Sequence, residues 1–124
     1  MTTVTQDRDE IRQLLRRYNH LIDSHDEEGW PALFTEDGVF DTSGEVLVGT
    51  EALQKFVASV PPGLRHVVVN EVIDIDGDEA HVRAYLLLFA GTPRALAMMG
   101  TYEDVVRRTD SGWRFARRVF RADN

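Results

Sequence analysis

About halfway along the chain the hydrophobic period changes. Before Pro61-Pro62-Gly63, apolar residues recur at spacings of three and four; after it they alternate. A period near 3.6 puts one apolar stripe on a helix, and a period of two puts one apolar face on a strand. The chain is thus held to helices first and an antiparallel meander afterwards. That is an α+β layout, with the helices lying on one face of a curved sheet.

In the first half, Ile11, Leu14, Leu15, Tyr18 and Ile22 predict an amphipathic helix over about residues 8–24. Asp7, with Glu10 three residues on, is read as its N-cap in the manner of a capping box, and residues 1–6 as a flexible tail. Asp26 opens a second short helical segment carrying Trp30, Leu33 and Phe34, with Pro31 in its first turn. A short strand follows at 39–42. Thr50 is read as the N-cap of a third helix over about 51–59, with Ala52, Leu53, Phe56 and Val57 on one face.

The second half is richer. Residues 67–75 and 80–89 read as strands joined around Asp76-Gly77-Asp78-Glu79, a strong hairpin signal. The stretch Arg65-His66-Val67-Val68-Val69-Asn70-Glu71-Val72 places His66, Val68, Asn70 and Val72 on one face. A two-residue turn at Gly77-Asp78 would set Asn70 opposite Tyr85, Val68 opposite Leu87, His66 opposite Phe89 and Val72 opposite Arg83. Hydrogen-bonding groups on an apolar face suggest a pocket wall, because buried polar groups need partners. The other face, with Val67, Val69, Ile73 and Ile75 against Ala80, Val82, Ala84, Leu86 and Leu88, is almost wholly apolar. A second copy of the chain is expected to cover it. Residues 95–108 and 113–121 complete the meander.

A chain of 124 residues fits one domain, taken as 1–124. A formal net charge of −7 argues against nucleic acid as a partner. The absence of cysteine removes disulfides, thiolate nucleophiles and cysteine metal ligands. No apolar run approaches the roughly 20 residues of a membrane span, and Met1 to Gln6 lacks the regions of a signal peptide. A soluble cytoplasmic protein is the expectation. His20, Asp23 and Asp26 offer no convergent ligand geometry, so no metal is expected. Neither a phosphate-binding glycine loop nor a Gly-x-Ser-x-Gly elbow occurs.

Several of these motifs together carry a resemblance. They are Ile22-Asp23, Asp26, Trp30, Leu33-Phe34, Asp37-Gly38-Val39-Phe40, Gly49-Thr50-Glu51-Ala52-Leu53, Arg65-His66, Asn70, Gly77-Asp78, Gly100-Thr101-Tyr102 and Gly112-Trp113-Arg114-Phe115. In this order they resemble the SnoaL-like group of the nuclear transport factor 2-like, or cystatin-like, superfamily. The resemblance implies a cone-shaped α+β barrel, with N-terminal helices on a strongly curved, mostly antiparallel sheet. The nearest enzymatic parallels are scytalone dehydratase and the SnoaL-like polyketide cyclases. The dehydratase pairs an Asp at the end of its first helix with a His on its first long strand, positions that Asp23 and His66 match. Its second catalytic His has no counterpart on the face carrying Arg83, Tyr85, Leu87 and Phe89, and the tyrosine before its helix Asp is Ile22 here.

The expected function is a small, cofactor-independent lyase or isomerase acting on an apolar, oxygenated small molecule. His66 is the expected general acid or base, with Asp23 as its orienter. On a helical wheel alone Asp23 lies off the apolar stripe, so only the resemblance turns it inward. Asn70 and Tyr85 are expected to hold a substrate oxygen. Tyr18, Trp30, Phe34, Phe56, Val68, Leu87, Phe89 and Met98 are read as core or pocket lining. His20, His25 and His81 are read as solvated, and the arginines from Arg107 to Arg121 as strand-edge charge. The alternative is a non-catalytic ligand-binding or interaction module on the same fold. A homodimer through the sheet is expected in either case.

Overall fold

The computed structural model describes residues 2–123. A long helix, α1 (Val4–Asp23), is followed by turns and a short 3-10 helix at Pro31–Leu33. Strands β1 (Phe34–Thr42) and β2 (Glu45–Val48) come next, then α2 (Thr50–Ser59). Four long strands finish the chain: β3 (Arg65–Asp76), β4 (Glu79–Ala90), β5 (Ala95–Thr109) and β6 (Gly112–Ala122). They form one six-stranded curved sheet in the order β2-β1-β6-β5-β4-β3, antiparallel except for the β1–β6 pair. The helices pack on its concave face, and this is the expected α+β cone.

Helix α1 starts earlier than the sequence suggests. Thr3 is the N-cap: its side chain accepts from the Gln6 N–H while the Gln6 side chain accepts from the Thr3 N–H. The box is therefore Thr3–Gln6 and not Asp7–Glu10, and residues 2–6 are not a tail: Thr2 bonds Asp7 and Arg108, Thr3 caps the helix and Val4 begins it, while Met1 lies outside the described residues. Asp7 is freed for tertiary work. Its carboxylate takes a two-pronged ion pair from Arg108 at 2.8 and 2.9 Å and a bond from the Trp113 indole at 3.2 Å. These donors, Arg108 first, hold the Asp7 carboxyl well below the usual carboxylate range. Gly49 caps α2 in place of Thr50. Between the helices, the expected second helical segment is reduced to the three-residue Pro31–Leu33 piece.

The core is aromatic. Tyr18 packs within 6.4 Å, centroid to centroid, of Trp30, Phe34, Phe40, Tyr102 and Phe115. Ile11, Leu14, Leu15 and Ile22 complete the buried stripe of α1. Truncating one such leucine to alanine costs about 2–5 kcal/mol.

The β3–β4 register holds one departure with large consequences. From the turn, Asp76 opposes Glu79, and pairing proceeds as expected to Val72 opposite Arg83. A bulge then intervenes at Asn70-Glu71, with Asn70 at φ 57°. Beyond it Val69 opposes Tyr85, Val68 opposes Leu86, and His66 opposes Leu88. An extra residue in one strand exchanges the faces of everything beyond it. His66 and Val68 therefore share the concave face with Ile73, Ala80, Val82, Ala84, Leu86 and Leu88. The face expected to meet a second copy is, over β4, the one α1 and α2 cover. The face left open is the convex one.

Candidate active site

The dyad is assembled by the end of α1 and the start of β3. Asp23 is the last residue of α1, and His66 is the second of β3. The His66 Nδ1–H donates to Asp23 Oδ1 at 2.6 Å, and the His66 backbone N–H donates to both carboxylate oxygens at 3.2 Å. The carboxylate thus fixes the ring and the strand start together, with side chains only 9% and 14% exposed. An Nδ1–H on a carboxylate leaves Nε2 as the basic nitrogen. It has no hydrogen-bond partner among the described residues, and the His66 side chain lines a cavity. Burial pushes the His66 imidazole below its ordinary value of 6.5, against the pull of Asp23, and a contribution from Arg118 adds to the lowering. The neutral form of the ring is thereby favoured.

Two spaces meet at His66. Inside lies an apolar cavity of about 170 Å³, lined by Tyr18, Phe40, Phe56, Leu86, Met98, Tyr102 and Phe120 among others. Outside lies a more polar cleft of about 540 Å³ with Asn19, Asp23, Arg65 and Arg94 in its walls. Leu64 and His66 line both. The phenols of Tyr18 and Tyr102 are raised by burial and stay neutral.

Of the residues singled out in the sequence, Asp23 and His66 meet, and Tyr18, Phe56 and Met98 join His66 at the cavity. Trp30 and Phe34 are buried core residues behind it, with Trp30 stacked on Phe56 at 5.7 Å. Val68 packs against the core without reaching the cavity wall. Asn70, Tyr85, Leu87 and Phe89 are not in the pocket. Asn70 is exposed at the bulge, Tyr85 is half exposed, and Leu87 and Phe89 lie outside the cavity wall, because the bulge exchanges their face for that of Leu86 and Leu88. His25 is not simply solvated: its Nε2–H donates to the Val60 carbonyl at 2.7 Å, tying the end of α1 to the end of α2.

Tyr102 and Arg118 escaped the sequence reading. A period-two count from the Gly100-Thr101-Tyr102 motif places Tyr102 beside Asp104 and Val106 on one face, and that signal was available. Nothing in a run of arginines distinguishes Arg118, which is wholly buried and not strand-edge charge.

Residues 3–119 match the SnoaL-like domain family. The chain belongs to that family. It is similar to an uncharacterized protein of Mycobacterium tuberculosis, 31% identical over 122 residues, covering 91% of this chain and 83% of that one. It is also similar to an NTF2-like protein with a cystatin-like fold from Novosphingobium aromaticivorans. That likeness is 28% identity and a TM-score of 0.88, covering 94% of this chain and 82% of the other. A structure from the same organism, described as a proposed scytalone dehydratase, aligns with a TM-score of 0.84 at 24% identity over 97% of this chain and 86% of that one. At that identity the last likeness speaks for the SnoaL-like fold alone.

Proposed function

We propose that this SnoaL-like protein is a cofactor-independent lyase or isomerase that moves a proton next to a carbonyl. The observation that carries the reading is His66: Nδ1 is held by Asp23 at 2.6 Å, and the ring lines an apolar cavity with Nε2 unpartnered. In the step that follows from this geometry, Nε2 takes a proton from the carbon beside the carbonyl. The C–H electron pair moves into a new C=C bond, and the carbonyl oxygen takes up the negative charge. Asp23 stabilises the imidazolium so formed. On a β,γ-unsaturated ketone the extended enolate takes the proton back at its γ-carbon as the carbonyl re-forms, giving isomerisation; on a β-hydroxy ketone the carbonyl re-forms as the C–OH bond breaks, and the proton leaves with the hydroxide as water, giving dehydration.

Cavity size narrows the substrate. A dry cavity of about 150 Å³ holds one benzene, whereas drug-sized ligands occupy roughly 300 Å³ or more. The space of about 170 Å³ suits one substituted ring, with further groups extending into the outer cleft. The test is proton exchange in D₂O across a panel of monocyclic ketones and β-hydroxy ketones, followed by NMR. Wild-type protein should catalyse α-deuteration of some members. His66→Ala should slow it by about 100-fold or more, the usual scale of a general base. No exchange on any panel member, or equal rates for wild type and His66→Ala, would leave a ligand-binding role in its place.

A further inference from the structure

One charged pair in the core has no part in the dyad. Arg118 on β6 and Asp104 on β5 stand opposite one another, both side chains 0% exposed, with Arg118 Nε donating to Asp104 Oδ1 at 3.0 Å. Both terminal guanidinium nitrogens and the second carboxylate oxygen are buried without a hydrogen-bond partner. Such a pair is costly, because each unmatched polar atom forfeits its hydration. What the guanidinium does meet is aromatic. Its central carbon sits 3.4 Å from the ring centroid of Tyr102, 4.2 Å from Tyr18 and 4.7 Å from Phe115. Two of these rings, Tyr18 and Tyr102, line the cavity with His66.

A cation over the face of a phenol ring withdraws electron density from it and makes the hydroxyl a better donor. Asp104 works against this. Burial raises both phenols, and the Arg118 guanidinium acts in the opposite direction on each. The guanidinium thus lies against two rings of the cavity wall in a region of low dielectric, where a fixed charge acts strongly and needs no reorganisation.

We propose that Arg118, held in place by Asp104, is a positioning residue that makes this cavity select ligands with an anionic oxygen of the enolate or phenolate type, which the Tyr18 and Tyr102 hydroxyls receive. This deepens the proton-transfer reading, since an enolate oxygen is what proton removal by His66 leaves behind. Its test does not depend on turnover.

The probe is 4-nitrophenol, one ring in size, whose ionisation is read from its absorbance, with 4-nitroanisole as the neutral control. Bound to wild-type protein, 4-nitrophenol should ionise at lower pH than it does free. Arg118→Met alone strands the Asp104 carboxylate, so the informative variant is Asp104→Leu/Arg118→Met, which removes both charges and keeps an apolar core. It should weaken nitrophenolate binding by about tenfold or more, the scale of one pKa unit of differential interaction. Nitroanisole binding should stay within about twofold, well under that unit. Arg118→Lys, which keeps the charge, should retain part of the preference. NMR titration should show the His66 imidazole rising in the double variant, as a repelling cation has gone. A folded double variant that keeps the nitrophenolate preference, or loses both probes equally, would overturn the proposal. His66→Ala should keep the preference, so failure of the base assignment and failure of this one give different results.

Discussion

At the scale of single residues, one carboxylate does two jobs. Asp23 takes the backbone N–H of His66 as well as its ring, so the strand start and the imidazole are positioned together. Asp23→Asn keeps a polar group there but loses the charge that stabilises imidazolium. It should lower turnover less than His66→Ala does, with the circular dichroism of both variants unchanged. Asn70 shows a different kind of constraint. Its φ of 57° lies in the left-handed region, which asparagine and glycine tolerate. Asn70→Gly should leave the denaturation midpoint nearly unchanged, whereas Asn70→Val should cost about 1–2 kcal/mol. Loss of proton-exchange activity in a stable Asn70→Gly protein would return this side chain to the site. The sequence shows asparagine equally as a hydrogen-bonding side chain and as a residue that accepts positive φ. Here the second property decided, and the face assignment of Tyr85, Leu87 and Phe89 fell with it.

At the scale of elements, the change of period, the Gly77-Asp78 turn and the α1 stripe were all legible, because each is a local pattern with one geometric solution. Helix ends were not: Thr3 and Gly49 do the capping where Asp7 and Thr50 looked equally able. Asp7 had a stronger competitor for its carboxylate, the guanidinium of Arg108, which lies 101 residues away and leaves no local trace. Gly100 on β5 marks another close approach. A Cβ there would collide with the Phe120 ring and the Arg121 carbonyl. Phe120 also lines the cavity and packs on Tyr102 at 5.3 Å. Gly100→Ala should therefore destabilise by about 1–3 kcal/mol, the cost of overpacking, and weaken binding of ring-sized probes. Urea titration and a probe titration on the same sample check both effects.

At the scale of the whole molecule, the convex face of the sheet carries an exposed apolar patch over β3, β4 and β5, bordered by the charged row of Arg83 and Glu103. Val67, Val72, Tyr85, Leu96 and Met99 are each 39–50% exposed there or at its rim, in rows fixed by the pairing of Val67 with Leu87 and Leu87 with Met99. Contiguous apolar surface of this kind marks an interaction site. We propose an isologous dimer through this face. Sedimentation at micromolar concentration should give twice the mass of the 14.1 kDa chain, and Val67→Lys/Tyr85→Lys should give a folded monomer. A wild-type monomer would remove the proposal. Among the described residues no helix is long and apolar enough to cross a membrane.

The base assignment is tested most directly by the pH dependence of α-proton exchange in the free protein. Only neutral His66 accepts a proton, so the rate should rise as His66 deprotonates and then level off. Because burial lowers the imidazole, the midpoint should fall below 6.5, leaving the rate flat from there through neutral pH. A midpoint above 6.5, or the same ascending limb in His66→Ala, would contradict the account.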